Sequence, residues 1–145
     1  MLARRLIDGL YVETMLLADE ARSYFDAQGV VARDALTPLD RVIYSCESLK
    51  VTTRLMHVIA WLLTQRALDA GEIASAAVLH PSRRLGVPVL SDAAALAKLP
   101  PEAQSLVAAT IELYRRVERL DETLDDVEPA PSPARSLLSK LERAF

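Results

Sequence analysis

The sequence predicts an all-α protein, a three-helix bundle built on a long antiparallel helical hairpin and forming a dimer. Three observations carry that class. Apolar residues recur at spacings of three, four and seven along three separate segments. Only 5% of the residues are aromatic and only four are glycine, while 51% are apolar, a Leu-, Ala- and Val-weighted composition that suits helix packing better than strands. At 145 residues the chain has the length for one domain with a sizeable core.

The first segment, about Leu2 to Gln28, places Leu6, Leu10, Leu17, Ala21 and Tyr24 on one helical face, and Gly29 is positioned to end it as a C′ residue. Val30 to Leu39 reads as a connection, because Asp34, Thr37 and Pro38 favour turns and caps. The second helix, Asp40 to Ala70, contains neither glycine nor proline, stops at Gly71 and should be roughly 45 Å long. It has two apolar stripes. One is Val42, Cys46, Leu49, Thr53, Met56, Ala60, Leu63 and Ala67; the other is Val51, Leu55, Val58, Ile59 and Leu62. Two stripes imply contacts on two sides, so this helix is central to the bundle or turns one side to a second subunit.

Glu72 to Leu79 reads as a helical turn or two, His80 to Val89 as a loop, and Ser91 as the N-cap of a short helix through Leu99. Pro100 and Pro101 open the third long helix, with Glu102 favourably placed against its dipole. Leu106, Thr110, Leu113, Val117, Leu120, Leu124 and Val127 then form an a/d seam. The bundle domain is residues 1–127. Residues 128–145 are a Pro-rich linker, Glu128 to Ala134, followed by a short basic amphipathic tail, Arg135 to Phe145, which reads as a frayed end or a docking peptide.

Several function classes find no support. The formal charge of -3 and pI near 5.4 oppose nucleic-acid binding. The most apolar run, Leu55 to Leu63, is too short to cross a membrane, and lone Cys46 asks for no oxidising compartment, so a cytoplasmic protein is expected. Neither His57 nor His80 stands in a Glu-x-x-His metal pattern, and no Gly-rich phosphate loop is present, so no metal or cofactor is expected. His57 reads as a hydrogen-bonded structural residue and Cys46 as a small core residue, and no serine stands in a recognisable nucleophile pattern, so no enzyme is expected.

The informative polar residues are Glu13, Asp19, Glu20 and Arg22 on the first helix and Glu47, Lys50, Arg54 and His57 on the second, the last four in one stripe. An antiparallel hairpin folded about residue 33 sets Glu13 opposite Arg54 and Glu20 opposite Glu47 or Lys50. The expectation is an interhelical network centred on Glu13 and Arg54, fixing register or surfacing as a docking patch. Trp61, on the same line, and Arg66 are residue types favoured at interface hot spots, although core packing suits Trp61 better. Arg83 and Arg84 read as solvated or as contacts for an acidic partner.

Two stretches, YVETMLLADEARSYFD (Tyr11 to Asp26) and SCESLKVTTRLMHVIAWLLTQRALDAGEI (Ser45 to Ile73), resemble the alphaproteobacterial family named for a regulator of CtrA degradation. The matching positions include Glu13, Asp19, Glu20, Arg22, Tyr24, Phe25 and Asp26, then Glu47, Ser48, Thr52, Arg54, His57, Trp61, Gln65, Arg66, Gly71 and Glu72. The resemblance implies a dimeric three-helix bundle without an active site. It implies an adaptor that brings regulatory cargo to a ClpXP protease whose ClpX is primed by a receiver-domain protein during the cell cycle. The tail after about residue 127 does not share it. Two other readings stand beside the adaptor: a DNA-binding regulator with a helix-turn-helix across Gln65 to Leu79, and a structural dimer without clients.

Overall fold

The computed structural model describes residues 2–71, 84–126 and 141, and all regular structure among them is helical. Helix α1 is Leu2–Ser23 and passes directly into a π-helical segment, Tyr24–Gln28. A short α2, Val30–Asp34, leads to the long α3, Pro38–Asp69; then come a single turn, α4, Ala93–Leu96, and the long α5, Pro101–Asp126. The expected helical turn at Glu72 to Leu79, the linker and nearly all of the tail lie outside the described residues. Leu141 is helical and exposed.

Local chemistry explains the boundaries. Thr37 is extended and its side chain accepts from the Asp40 amide at 3.2 Å, so α3 begins at Pro38, two residues before the start expected from sequence. Gly71, at φ +73, ends it as expected: its amide bonds the Leu68 carbonyl at 3.0 Å in a conformation that side chains with a Cβ adopt at a cost. Gly29 departs from expectation, because its φ is -83 and it is not a left-handed C′ residue. There the chain takes an extra residue into the turn, with the Gly29 amide bonding the Tyr24 carbonyl five positions back at 2.6 Å. What requires glycine is space, since a Cβ would lie 2.5 Å from Tyr44 Oη and 2.8 Å from the Tyr24 ring. Ser91 does not cap the short helix; the Asp92 side chain does, accepting from the Ala94 amide at 2.9 Å.

Helices α1 and α3 run in opposite directions. Arg4 meets Asp69 at 3.8 Å and Asp8 meets Arg66 at 3.5 Å at one end, and Phe25 packs edge-on against Tyr44 at the other, ring centres 5.3 Å apart. That register lies roughly two helical turns from the one a fold about residue 33 would give. The cause is the π-helix and α2, which pack together and against α3 and extend the pair beyond the end of α1.

The core gathers Ile7, Leu10, Ala21 and Tyr24 with Tyr44, Val51, Leu55, Val58, Trp61 and Leu62 of α3 and Leu99, Ala103, Leu106, Val107, Leu113, Tyr114 and Val117 of the C-terminal part. The α5 seam is buried at Leu106, Thr110, Leu113 and Val117. On α1 the expected stripe is buried at Leu10, Ala21 and Tyr24 and half-buried at Leu17, but at its start Ile7 is inside and Leu6 half exposed. On α3 the Val51 stripe fills the core and the Val42 stripe does not.

Candidate functional site

Two features of α3 stand out, one buried and one exposed. The buried one is a polar network inside an otherwise apolar core, where Glu47 is 1% and Arg54 2% exposed. Each lies on the polar stripe read from the sequence, but their partners come from the chain segment before α4 and from α5. Ser91 Oγ donates to Glu47 Oε2 at 2.5 Å and accepts from Arg54 Nη2, so the hydroxyl bridges acid and base. Arg54 Nε donates to the Val89 carbonyl at 3.1 Å, Nη1 reaches Thr110 Oγ1 at 3.5 Å, and Lys50 Nζ meets Glu47 Oε1 at 3.0 Å. Burial pushes the Arg54 guanidinium below its ordinary pKa while nearby Glu47 pulls it back up; arginine stays charged all the same.

The expected contact between Glu13 and Arg54 is absent. Glu13 instead pairs with Arg116 of α5, because the register turns Arg54 into the core and away from α1. Glu20 meets neither Glu47 nor Lys50; it is exposed, as is Asp19, and Arg22 pairs with Asp26 at 3.8 Å along its own helix. Arg66 lies 4.6 Å over the Tyr11 ring as well as beside Asp8.

The rest of the stripe anchors the irregular segment 84–91 to the bundle. Trp61 is 2% exposed, and its Nε1 donates to Asp121 Oδ1 at 2.9 Å. The other oxygen of Asp121 takes Arg84 Nε at 3.3 Å, so this arginine meets an acid of its own chain; Arg83 lies outside the described residues. Tyr114 donates to the Gly86 carbonyl. His57 packs flat against Gly86, where a Cβ would lie 2.7 Å from the ring, and its buried Nδ1 has no hydrogen-bond partner among the described residues, contrary to the expected hydrogen bond. Ser91, Val89, Asp121 and Tyr114 escaped sequence reasoning. The one signal pointing there was Thr110, a polar residue in an apolar seam.

The exposed feature is the other α3 stripe. Val42 is 58%, Leu49 69%, Met56 62% and Leu63 47% exposed, one every seven residues. Between them run smaller residues, Cys46, Thr53, Ala60 and Ala67, with Cys46 exposed on this face and not in the core position expected for it. A groove of about 340 Å³ opens alongside, lined by Ala18 and Arg22 of α1, Phe25 of the π-helical segment and Val51, Met56 and Ile59 of α3. The row leaves apolar side chains along one side of α3 in contact with water. Among the described residues no group of His, Cys, Asp and Glu side chains is arranged to hold a metal, and no helix is long and apolar enough to cross a membrane.

A family model described as protein of unknown function (DUF1465) matches residues 1–145. The chain belongs to that family. Among solved structures it is similar to RcdA, the regulator of CtrA degradation, from Caulobacter crescentus CB15. The two share 32% identity with a TM-score of 0.67, over 82% of this chain and 90% of that one. No curated protein sequence matches. The resemblance first noticed in two helical stretches thus extends over most of both molecules, and the solved relative carries the name of a regulator of proteolysis.

Proposed function

We propose that this chain is a non-enzymatic, protein-binding adaptor that works as a homodimer and helps deliver regulatory proteins to the ClpXP protease in cell-cycle control. Its partners on this reading are ClpX, a receiver-domain protein and regulatory cargo. The observation that carries it is the exposed α3 seam. A helix whose second apolar stripe is left uncovered has a surface built for another protein, and kinship with RcdA supplies the setting. Large Val42, Leu49, Met56 and Leu63 alternate with small Cys46, Thr53, Ala60 and Ala67, a pattern that can fit knobs of one copy into the hollows of a two-fold mate.

The polar residues divide between two roles. Glu47, Lys50, Arg54, His57 and Trp61 hold the bundle and segment 84–91 together, whereas Asp19 and Arg22 remain at the surface for partners. The negative net charge disfavours a DNA-binding role for Gln65 to Leu79.

The test is affinity capture of the tagged full-length protein from a native extract, beside a Leu49→Glu/Met56→Glu variant. Enrichment of ClpX and a receiver-domain protein by the first and their loss in the second is the expected result. Recovery of the bait alone from both would leave a structural dimer as the better description.

A further inference from the structure

A second groove, on the side of α1 turned to α5, differs in character from the α3 seam. It has a volume of about 310 Å³ and is walled by Leu16, Leu17 and Leu113 with Glu13, Glu20 and Glu112 at its edges. Arg116 neutralises Glu13, but neither Glu20 nor Glu112 has a hydrogen bond or ion pair among the described residues. Leu16 is 67% exposed, and Val12, one turn earlier on the same face, is 57% exposed. The groove therefore offers an apolar floor edged by unpaired carboxylates, the complement of a basic amphipathic helix.

The chain carries such a segment. Arg135 to Phe145 places Leu137, Leu138, Leu141 and Phe145 at helical spacing, with Arg135, Lys140 and Arg143 against a single acid, Glu142. Leu141 is helical and 53% exposed, so its side chain has apolar surface still to cover. We propose that Arg135–Phe145 docks into the α1–α5 groove of its own chain, leucines on the Leu16 floor and Lys140 and Arg143 at Glu20 and Glu112. The reach is sufficient. Going back from Asp126 to Leu113 along α5 is about 20 Å, and residues 127–134 can span up to about 26 Å when extended. The docking does not depend on the adaptor reading and is measured on the purified protein.

Zero-length carbodiimide coupling joins a lysine only to a carboxylate it touches, and the chain has three lysines, Lys50, Lys98 and Lys140, with Lys140 alone in the tail. In the full-length protein at low salt, Lys140 should couple chiefly to Glu20 and Glu112, while Lys98 coupled to Asp40, a solvent-accessible pair at 4.0 Å, serves as the internal control. A mixture of labelled and unlabelled copies should place the Lys140 products within one chain. They should fall about ten-fold at 1 M salt, where the Debye length is ~3 Å, and in the surface variant Glu20→Gln/Glu112→Gln, whose circular dichroism should be unchanged. Lys140 products that scatter over the acidic residues, map beside the α3 seam, or join two chains would overturn the proposal, as would their absence when the control forms.

Discussion

Glu47 and Arg54 sit almost fully inside the core, and a charge there is tolerated only while its partners remain. Arg54→Met should therefore cost about 3–5 kcal/mol, since it leaves the Glu47 carboxylate buried with Lys50 and Ser91 alone. Glu47→Gln/Arg54→Met should recover much of that loss, giving a strongly non-additive cycle in urea unfolding. The sequence disclosed which residues of α3 form the polar stripe but not whom they face. Two partners of Arg54, Ser91 and Val89, lie in an irregular segment whose position no periodicity encodes. Tyr44 gives a pH prediction. Burial first, and then neighbouring Tyr24, push its phenol from 10.0 up to about 12. The folded state thus holds this proton more tightly, so the stability it contributes is complete below pH 10 and is lost as pH rises toward 12. Tyr44→Phe should move the alkaline unfolding midpoint upward, as followed by circular dichroism.

At the scale of elements, helix existence was legible and helix ends less so. The three long helices announce themselves through unbroken periodicity, and Gly71 ends α3 where its sequence position suggested. The π-helix at Tyr24–Gln28 could not be read, because it arises from tertiary crowding: Tyr24, Phe25 and Tyr44 interlock edge-to-face and push the backbone outward by one residue. Together with α2, that segment moved the hairpin register and with it the expected Glu13 contact. Gly29→Ala tests the account. The residue has an ordinary right-handed backbone, so alanine brings no φ penalty, yet its Cβ collides with Tyr44 Oη and the Tyr24 ring. A loss of about 1–3 kcal/mol is expected from overpacking, with part regained when Tyr44→Phe removes the hydroxyl. If the alanine variant melted at the native temperature, the close approach at Gly29 would not be what sets this turn.

For the whole molecule, the decisive fact is that a bundle of three long helices covers only one of the two apolar stripes of α3. An exposed row of Val42, Leu49, Met56 and Leu63, about 32 Å from end to end at helical rise, is a standing cost in water unless something covers it. The sequence showed both stripes and left open whether the second was core or interface; burial of the Val51 row alone shows that the second is not part of this chain's own core. If a second copy covers the seam, Leu49→Glu/Met56→Glu should convert a dimer to monomer in sedimentation at micromolar concentration. Both side chains are already exposed, so the monomer should keep the native helix content, with an unfolding midpoint changed little after allowance for lost association. A core substitution would behave differently, losing stability and association together. A wild-type protein that sediments as a monomer at these concentrations would remove self-association and leave the seam to a different protein, which the same two glutamates would then block.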